Sequence, residues 1–208
     1  VGETAREITR KAKDPVDKAR AIYEWVVDNT FRDPKVQGCG LGDIHTMLET
    51  GNLGGKCADI NSLFVGLARA AGVPAREMYG VRVGDSSQFQ SLGRRGNISK
   101  AQHCRAEFYL DRAGWVPVDP ADVRKVVLEE KLPLDDPRVT ALRRRLFGSW
   151  EMNWVAFNSG RDFDLAPRAR KPVKFFMYPY AEIGAGSPNG LDPASFSYRI
   201  ESREVAIQ

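Results

Sequence analysis

Three residues of this 208-residue chain offer a recognisable chemistry: Cys57, His103 and Asp119. Cys57 ends the stretch GNLGGKC, residues 51–57. It precedes a helical pattern in which Ile60, Leu63, Phe64, Leu67, Ala68 and Ala71 form one apolar stripe. Gly72 and Pro74 stop that helix. A cysteine in a first helical turn meets the positive end of the helix dipole and unpaired N–H groups, and both favour thiolate over thiol. Taken alone, such a cysteine is more often a small buried hydrophobe. The glycines before it are expected to clear space for a substrate backbone beside the sulfur. The stretch is not a phosphate-binding P-loop, because Thr50 stands where its first Gly is required and Cys57 where its Ser or Thr is required.

A thiolate nucleophile needs a base that also protonates the leaving group, and histidine serves near neutral pH. The chain has two, His45 and His103. His45 falls in a short helix from about Asp43 to Glu49 and is read as structural. His103 opens a strand, Cys104–Leu110, with Cys104, Ala106, Phe108 and Leu110 on its apolar face. His103, Arg105, Glu107 and Tyr109 form the polar face, which is expected at a site rim. An imidazole needs an orienting acceptor on its second nitrogen. The next strand, Trp115–Val118, ends at Asp119, and a turn near residues 111–114 makes Asp119 a cross-strand or diagonal neighbour of His103. Pro120 is read as stopping that strand, and Asp122 is the next candidate for the acceptor.

The elements that must hold these groups emerge from the same pattern. Asp14-Pro15 opens a helix that runs to about Thr30, after a weaker helix from about Glu3 to Ala12. GCGLGD, residues 38–43, is a loop. Glu77–Val83 is a strand. Residues 84–102 form a long polar loop that leads into His103 and is expected to act as a lid or binding segment. Beyond residue 126 come a helix opened by Asp136-Pro137, an aromatic stretch from Trp150 to Phe157, a basic loop, and late strands near Val173–Tyr178 and Phe196–Ile207.

Composition narrows the function classes. With 42% apolar and 28% charged residues the chain is not a disordered one. Its formal net charge is +4, and the dense basic runs are Arg143–Arg145 and Arg168 to Lys174. These are read as a solvated helix face and a polar loop, so no nucleic-acid partner is expected. No apolar run approaches the roughly 20 residues of a membrane span. No Cys or His pair has zinc-ligand spacing, apart from the adjacent His103 and Cys104, which point to opposite faces of a strand. No metal and no cofactor are expected. The cysteine count is odd, and a Cys39–Cys104 disulfide in an oxidising compartment would leave Cys57 as the free thiol. The chain starts at Val1, and an exported, periplasmic protein whose signal segment lies outside this chain is one expectation.

GGKCADINSLFVGLARAAGVPAR, residues 54–76, followed by HCRAEFYLDRAGWVPVDP, residues 103–120, resembles the transglutaminase-like superfamily. Cys104-Arg105 stands where members often have Ala-Trp, and Asp119-Pro120-Ala121 where they often have Asp-Pro-Thr. The resemblance implies an α+β fold with a papain-like core, helices packed on an antiparallel sheet. It covers a core of about 15–125 in a single domain 1–208, with 126–208 as an extension packed on that core. It further implies that Cys57 attacks a carboxamide or peptide carbonyl to give a thioester, that His103 moves the proton, and that Asp119 holds the imidazole. The backbone N–H of Cys57 is one oxyanion donor, with Gln37 or Asn52 as the second. The function implied is a cysteine-dependent hydrolase acting on polypeptide or cell-wall peptide. An acyltransferase using a lysine amine and a non-catalytic peptide-binding module are the alternatives.

Overall fold

In the computed structural model, residues 1–162, 164–166, 172–184, 186–191, 194 and 196–205 are described. The chain order is α1 (Gly2–Thr9), α2 (Pro15–Asn29), β1 (Phe31–Arg32), α3 (Ile44–Thr50), β2 (Gly54–Gly55), α4 (Cys57–Ala70), β3 (Ala75–Arg82), β4 (Gly96–Asn97), β5 (Gln102–Leu110), β6 (Gly114–Val118), α5 (Pro120–Glu129), α6 (Pro137–Arg145), β7 (Trp154–Asn158) and β8 (Glu201–Ser202). The main sheet has the order β6-β5-β3-β7 and every pair in it is antiparallel. Helix α4 lies against β5 and β3 and also meets α1, α2 and α5. It is buried almost all round, from Cys57 to Ala68, so its apolar stripe is the centre of the core. The architecture is the expected α+β one.

Helix starts explain much of the layout. Asp14, Asp119 and Asp136 each precede a proline, and each side chain accepts a hydrogen bond from a first-turn N–H of the helix it caps. Pro120 therefore opens α5 rather than merely stopping a strand. The same dipeptide at Asp33-Pro34 makes only a turn, with Asp33 Oδ1 accepting from Lys35 N at 2.8 Å. The residues downstream of the proline decide the outcome: Val123 and Val126 on α5 are fully buried in the core.

Glycines ahead of α4 make room for the side chain of Asp59. A Cβ on Gly55 would come within 2.4 Å of Asp59 Cβ, and one on Gly40 within 1.8 Å of its carboxylate. Asp59 accepts from Lys56 N at 2.9 Å, closing the helix start, and from Leu41 N and Gly42 N at 3.0 and 2.9 Å. The glycines thus let the 38–43 loop close down on an acidic cap.

Several expectations are corrected. Both faces of β5 are covered: His103, Arg105 and Glu107 are buried, since the segment around Trp150 and Trp154 packs over the polar side. Residues 84–102 are not a free loop. They contain a 3₁₀ turn at Gln90–Leu92 and strand β4, and Phe89, Leu92 and Ile98 are buried. Residues 173–178 form no strand, and the strand expected over Phe196–Ile207 shrinks to β8, its last two residues lying outside the described ones. Arg168 to Lys171 of the basic run also lie outside them.

Candidate active site

Cys57 is the first residue of α4 and is 3% exposed. Its N–H belongs to the orphan donors of a helix start, while the N–H of Ala58 is taken by the Cys39 carbonyl at 2.8 Å. His103 sits on β5 opposite Gly80 of β3. A Cβ on Gly80 would strike the Trp154 ring at 2.6 Å, and that space lets the Trp154 indole N–H donate to the His103 carbonyl at 2.9 Å. Asp119 ends β6. The pairing Ala106↔Val118 puts Arg105 next opposite Asp119, which makes His103 its diagonal neighbour.

The side chains meet accordingly. His103 Nε2 lies 2.7 Å from Asp119 Oδ2 and 3.3 Å from Asp122 Oδ1. With Nε2 engaged by carboxylates, Nδ1 is the nitrogen left to face Cys57. Asp119 Oδ1 accepts from Asn61 Nδ2 at 3.3 Å and from Asp122 N at 3.1 Å. Asn61 also donates to the Cys104 carbonyl at 2.8 Å, tying α4 to β5 one residue after His103. Asp122 forms an ion pair with Arg82, whose second nitrogen donates to the Leu92 carbonyl at 2.9 Å. Arg105 lies under Trp154, 4.8 Å from the ring centre, with Nε 3.5 Å from Asp119.

These contacts set the charges. Burial pushes the Cys57 thiol up, but hydrogen bonds from Cys104, Cys39 and His103, with the imidazole's charge, hold it well below the ordinary thiol range. Burial and Arg82 push His103 down, yet Asp122 and Asp119 together raise it. Burial and Asp122 raise the Asp119 carboxyl against the pull of His103 and Arg105. Burial also pushes Asp122 up, but Arg82, His103 and Arg105 hold it well below the carboxylate range. Burial raises Cys104 well above the usual thiol range, and hydrogen bonding to Cys57, followed by burial, does the same for Cys39. The arrangement can hold Cys57 as thiolate against a protonated imidazole.

The sequence-predicted groups fall into two sets. Cys57, His103 and Asp119 are brought together. Gln37 and Asn52 do not line the cavity in front of Cys57, and Asn52 Oδ1 instead accepts from Gly54 N at 3.1 Å. Cys39 and Cys104 are buried free thiols, both against Cys57 rather than joined to each other. His45 is exposed and pairs with Glu49 one turn on, at 3.4 Å. Arg82, Asn61 and Tyr178 were not anticipated. Tyr178, from the far end of the chain, hydrogen-bonds Cys39 and lines the cavity. Asn61 was legible in principle, one turn after Cys57 on the same helix.

His103, Asp119 and Asp122 offer three ligand atoms within 4.8 Å of one another. They do not fit a metal ion, because the guanidiniums of Arg82 and Arg105 already stand against these carboxylates.

The family model described as the transglutaminase-like superfamily matches residues 2–120. An uncharacterised Haemophilus influenzae protein is 48% identical over 216 residues, covering 99% of this chain and 58% of that protein. The chain thus spans little more than half of this relative. Among solved structures, a candidate cysteine protease from Cytophaga hutchinsonii is 20% identical with TM-score 0.44, over 58% of this chain and 36% of that one. The periplasmic domain of TgpA from Pseudomonas aeruginosa is 22% identical, also at 0.44, over 62% and 43%. Red sea bream transglutaminase is 16% identical at 0.35, over 64% and 28%. At such scores the solved structures add nothing to the family match.

Proposed function

We propose, from the premise that this chain belongs to the transglutaminase-like superfamily, that it is a cysteine-dependent hydrolase of peptide, isopeptide or glutamine-carboxamide bonds. The observation that carries this reading is one geometry: a depressed thiol at the start of α4, set against an imidazole whose Nε2 is 2.7 Å from Asp119. The Cys57 thiolate attacks the carbonyl carbon, and the tetrahedral oxyanion is met by the Cys57 N–H. The imidazolium of His103 gives its Nδ1 proton to the leaving amine as the C–N bond breaks, which leaves a thioester. Neutral His103 then takes a proton from water, whose oxygen attacks the thioester. The acid is released, and thiolate and imidazolium are restored. Asp119 keeps the ring orientation and tautomer through both halves.

Trapping tests the assignment. Alkylation with iodoacetamide at pH 6 followed by peptide mapping is expected to label Cys57 first, with Cys39 and Cys104 slow because their thiols are held protonated. Preferential labelling of either of those two overturns it. Turnover of a glutamine peptide with and without added lysine amine then separates the hydrolase from the acyltransferase. Cys57→Ala abolishes both if the thioester is real. A chain that labels at Cys57 but turns over no amide is the non-catalytic binding module.

A further inference from the structure

The cavity in front of Cys57 has a volume of about 810 Å³ and reaches His103. Arg32, Lys56, Arg82, Arg94, Lys100 and Lys125 line it, and Glu129 and Glu130 are the carboxylates among its described lining residues. Arg82 is neutralised by Asp122 behind the wall. Among the described lining residues the other five cations exceed the two carboxylates by three, against +4 for the whole chain. Glu129 is shared: Arg32 Nε reaches it at 3.1 Å, but Lys125 Nζ only at 3.8 Å. Glu130 is already used by the Ser91 N–H at 2.7 Å. Lys125 is a mostly buried ammonium, pushed down by burial and by Arg82, with half a partner.

Arg32, Lys56 and Lys125 line the same cavity as Cys57. Lys56 immediately precedes Cys57, and Arg32 is the register partner of Gly55 on the β1–β2 ladder. Lys125 lies on the helix that Asp119 caps. Cations gathered in a concave, partly desolvated wall attract an anion more strongly than the same cations scattered over a convex surface. Other lining residues are different in kind: Tyr178, Leu191, Phe196 and Tyr198 come from the C-terminal part.

We propose that Arg32, Lys56 and Lys125 form a carboxylate subsite beside Cys57, so that the acyl donor is an acidic peptide carrying a carboxylate next to the reacting carbonyl. This inference rests on Cys57 being the nucleophile, and the test separates the two. Cys57 is alkylated at pH 6 with iodoacetate, whose carboxylate is one bond from the reacting carbon, and with neutral iodoacetamide. The quotient of the two rates removes changes in the sulfur's own nucleophilicity. It is expected to fall about three- to tenfold in Lys125→Met, and in Arg32→Gln and Lys56→Gln by a similar or smaller factor. It should also fall with added salt. A quotient unchanged in all three variants and flat in salt overturns the subsite while leaving the nucleophile in place. A wild-type sulfur slow toward both reagents removes the nucleophile and the subsite with it. The source of the carboxylate is read from protection against iodoacetamide. Protection by a blocked tetrapeptide with one Glu assigns a side chain, and protection by a free-acid tetrapeptide with Gln assigns a chain terminus. Protection by neither at millimolar concentration counts against the proposal.

Discussion

The two sides of His103 are built on opposite rules. Behind it, Asp119, Asp122, Arg82 and Arg105 are each at most 3% exposed, and the charges alternate so that every carboxylate faces a cation. In front, around Cys57, cations outnumber carboxylates and the surface opens into a cavity. Buried charge survives only when it is paired and hydrogen-bonded, so the rear set is a fixed frame. Surplus charge of one sign is tolerated only where solvent or a ligand reaches it. On the proposed reading, the difference separates the groups that position the imidazole from those that would meet a substrate.

Breaking the rear set at its closest contact with His103 has the largest expected effect. Asp119→Asn should lower turnover by about 10⁴-fold with the fold retained, because the imidazole takes the wrong tautomer. Circular dichroism and single-turnover kinetics check the two halves. Near-normal turnover would transfer the orienting role to Asp122, the other carboxylate on Nε2.

Asp122→Asn leaves Arg82 buried without its partner and should cost about 3–5 kcal/mol in urea unfolding, whereas Arg82→Leu with Asp122→Leu should cost less. The folded-state carboxyl is depressed. Its contribution is therefore present above the unfolded carboxylate pKa, roughly 3.9. It is lost as pH falls through the folded value. The gap between wild type and Asp122→Asn should accordingly close on acidification. In the same variant the basic limb of activity, which tracks the loss of the His103 proton, should move to lower pH. Asp122 no longer raises the imidazole, and Arg82 is unopposed.

The wall between front and rear is Gly84 to Gln102. Because Leu92 is fully buried and its carbonyl holds Arg82, Leu92→Ala should cost about 2–5 kcal/mol, far more than a lid residue would. A change under about 0.5 kcal/mol would restore the lid. The smallest effect belongs to the front. Lys100→Ala should alter the free energy of unfolding by no more than about 0.5 kcal/mol, measured by urea titration, because a lysine on an open wall supports no packing.

Much of this was legible in the residues. The period of α4 and its start at Cys57 come from apolar spacing, and the alternation of β5 with a short turn to β6 brings Asp119 near His103. These are local properties, since helix and strand periods are fixed by the backbone. The fold class came from the resemblance that the two motif blocks carry. Asp119-Pro120 was also readable as a helix start, by the rule already applied to Asp14-Pro15 and Asp136-Pro137. The apolar residues of α5 are interleaved with Arg124 and Lys125, and that masked it.

Spacing did not reveal which polar residues would be buried. Arg82 and Asp122 are 40 positions apart, and Arg105 meets Trp154 from a strand beyond α6. Nothing in either neighbourhood names its partner. The polar face of β5 read as solvent-exposed because alternation reports where side chains point, not what later folds over them. The helix that starts at Cys57 and the strand that carries His103 could be read from the chain alone, because these depend on period and capping within a few residues, and the fold class came with the resemblance of the two motif blocks. The arginine that pairs with Asp122 and the sign of the charge in front of the sulfur needed the folded molecule, because each arises where segments far apart in the chain close on one another.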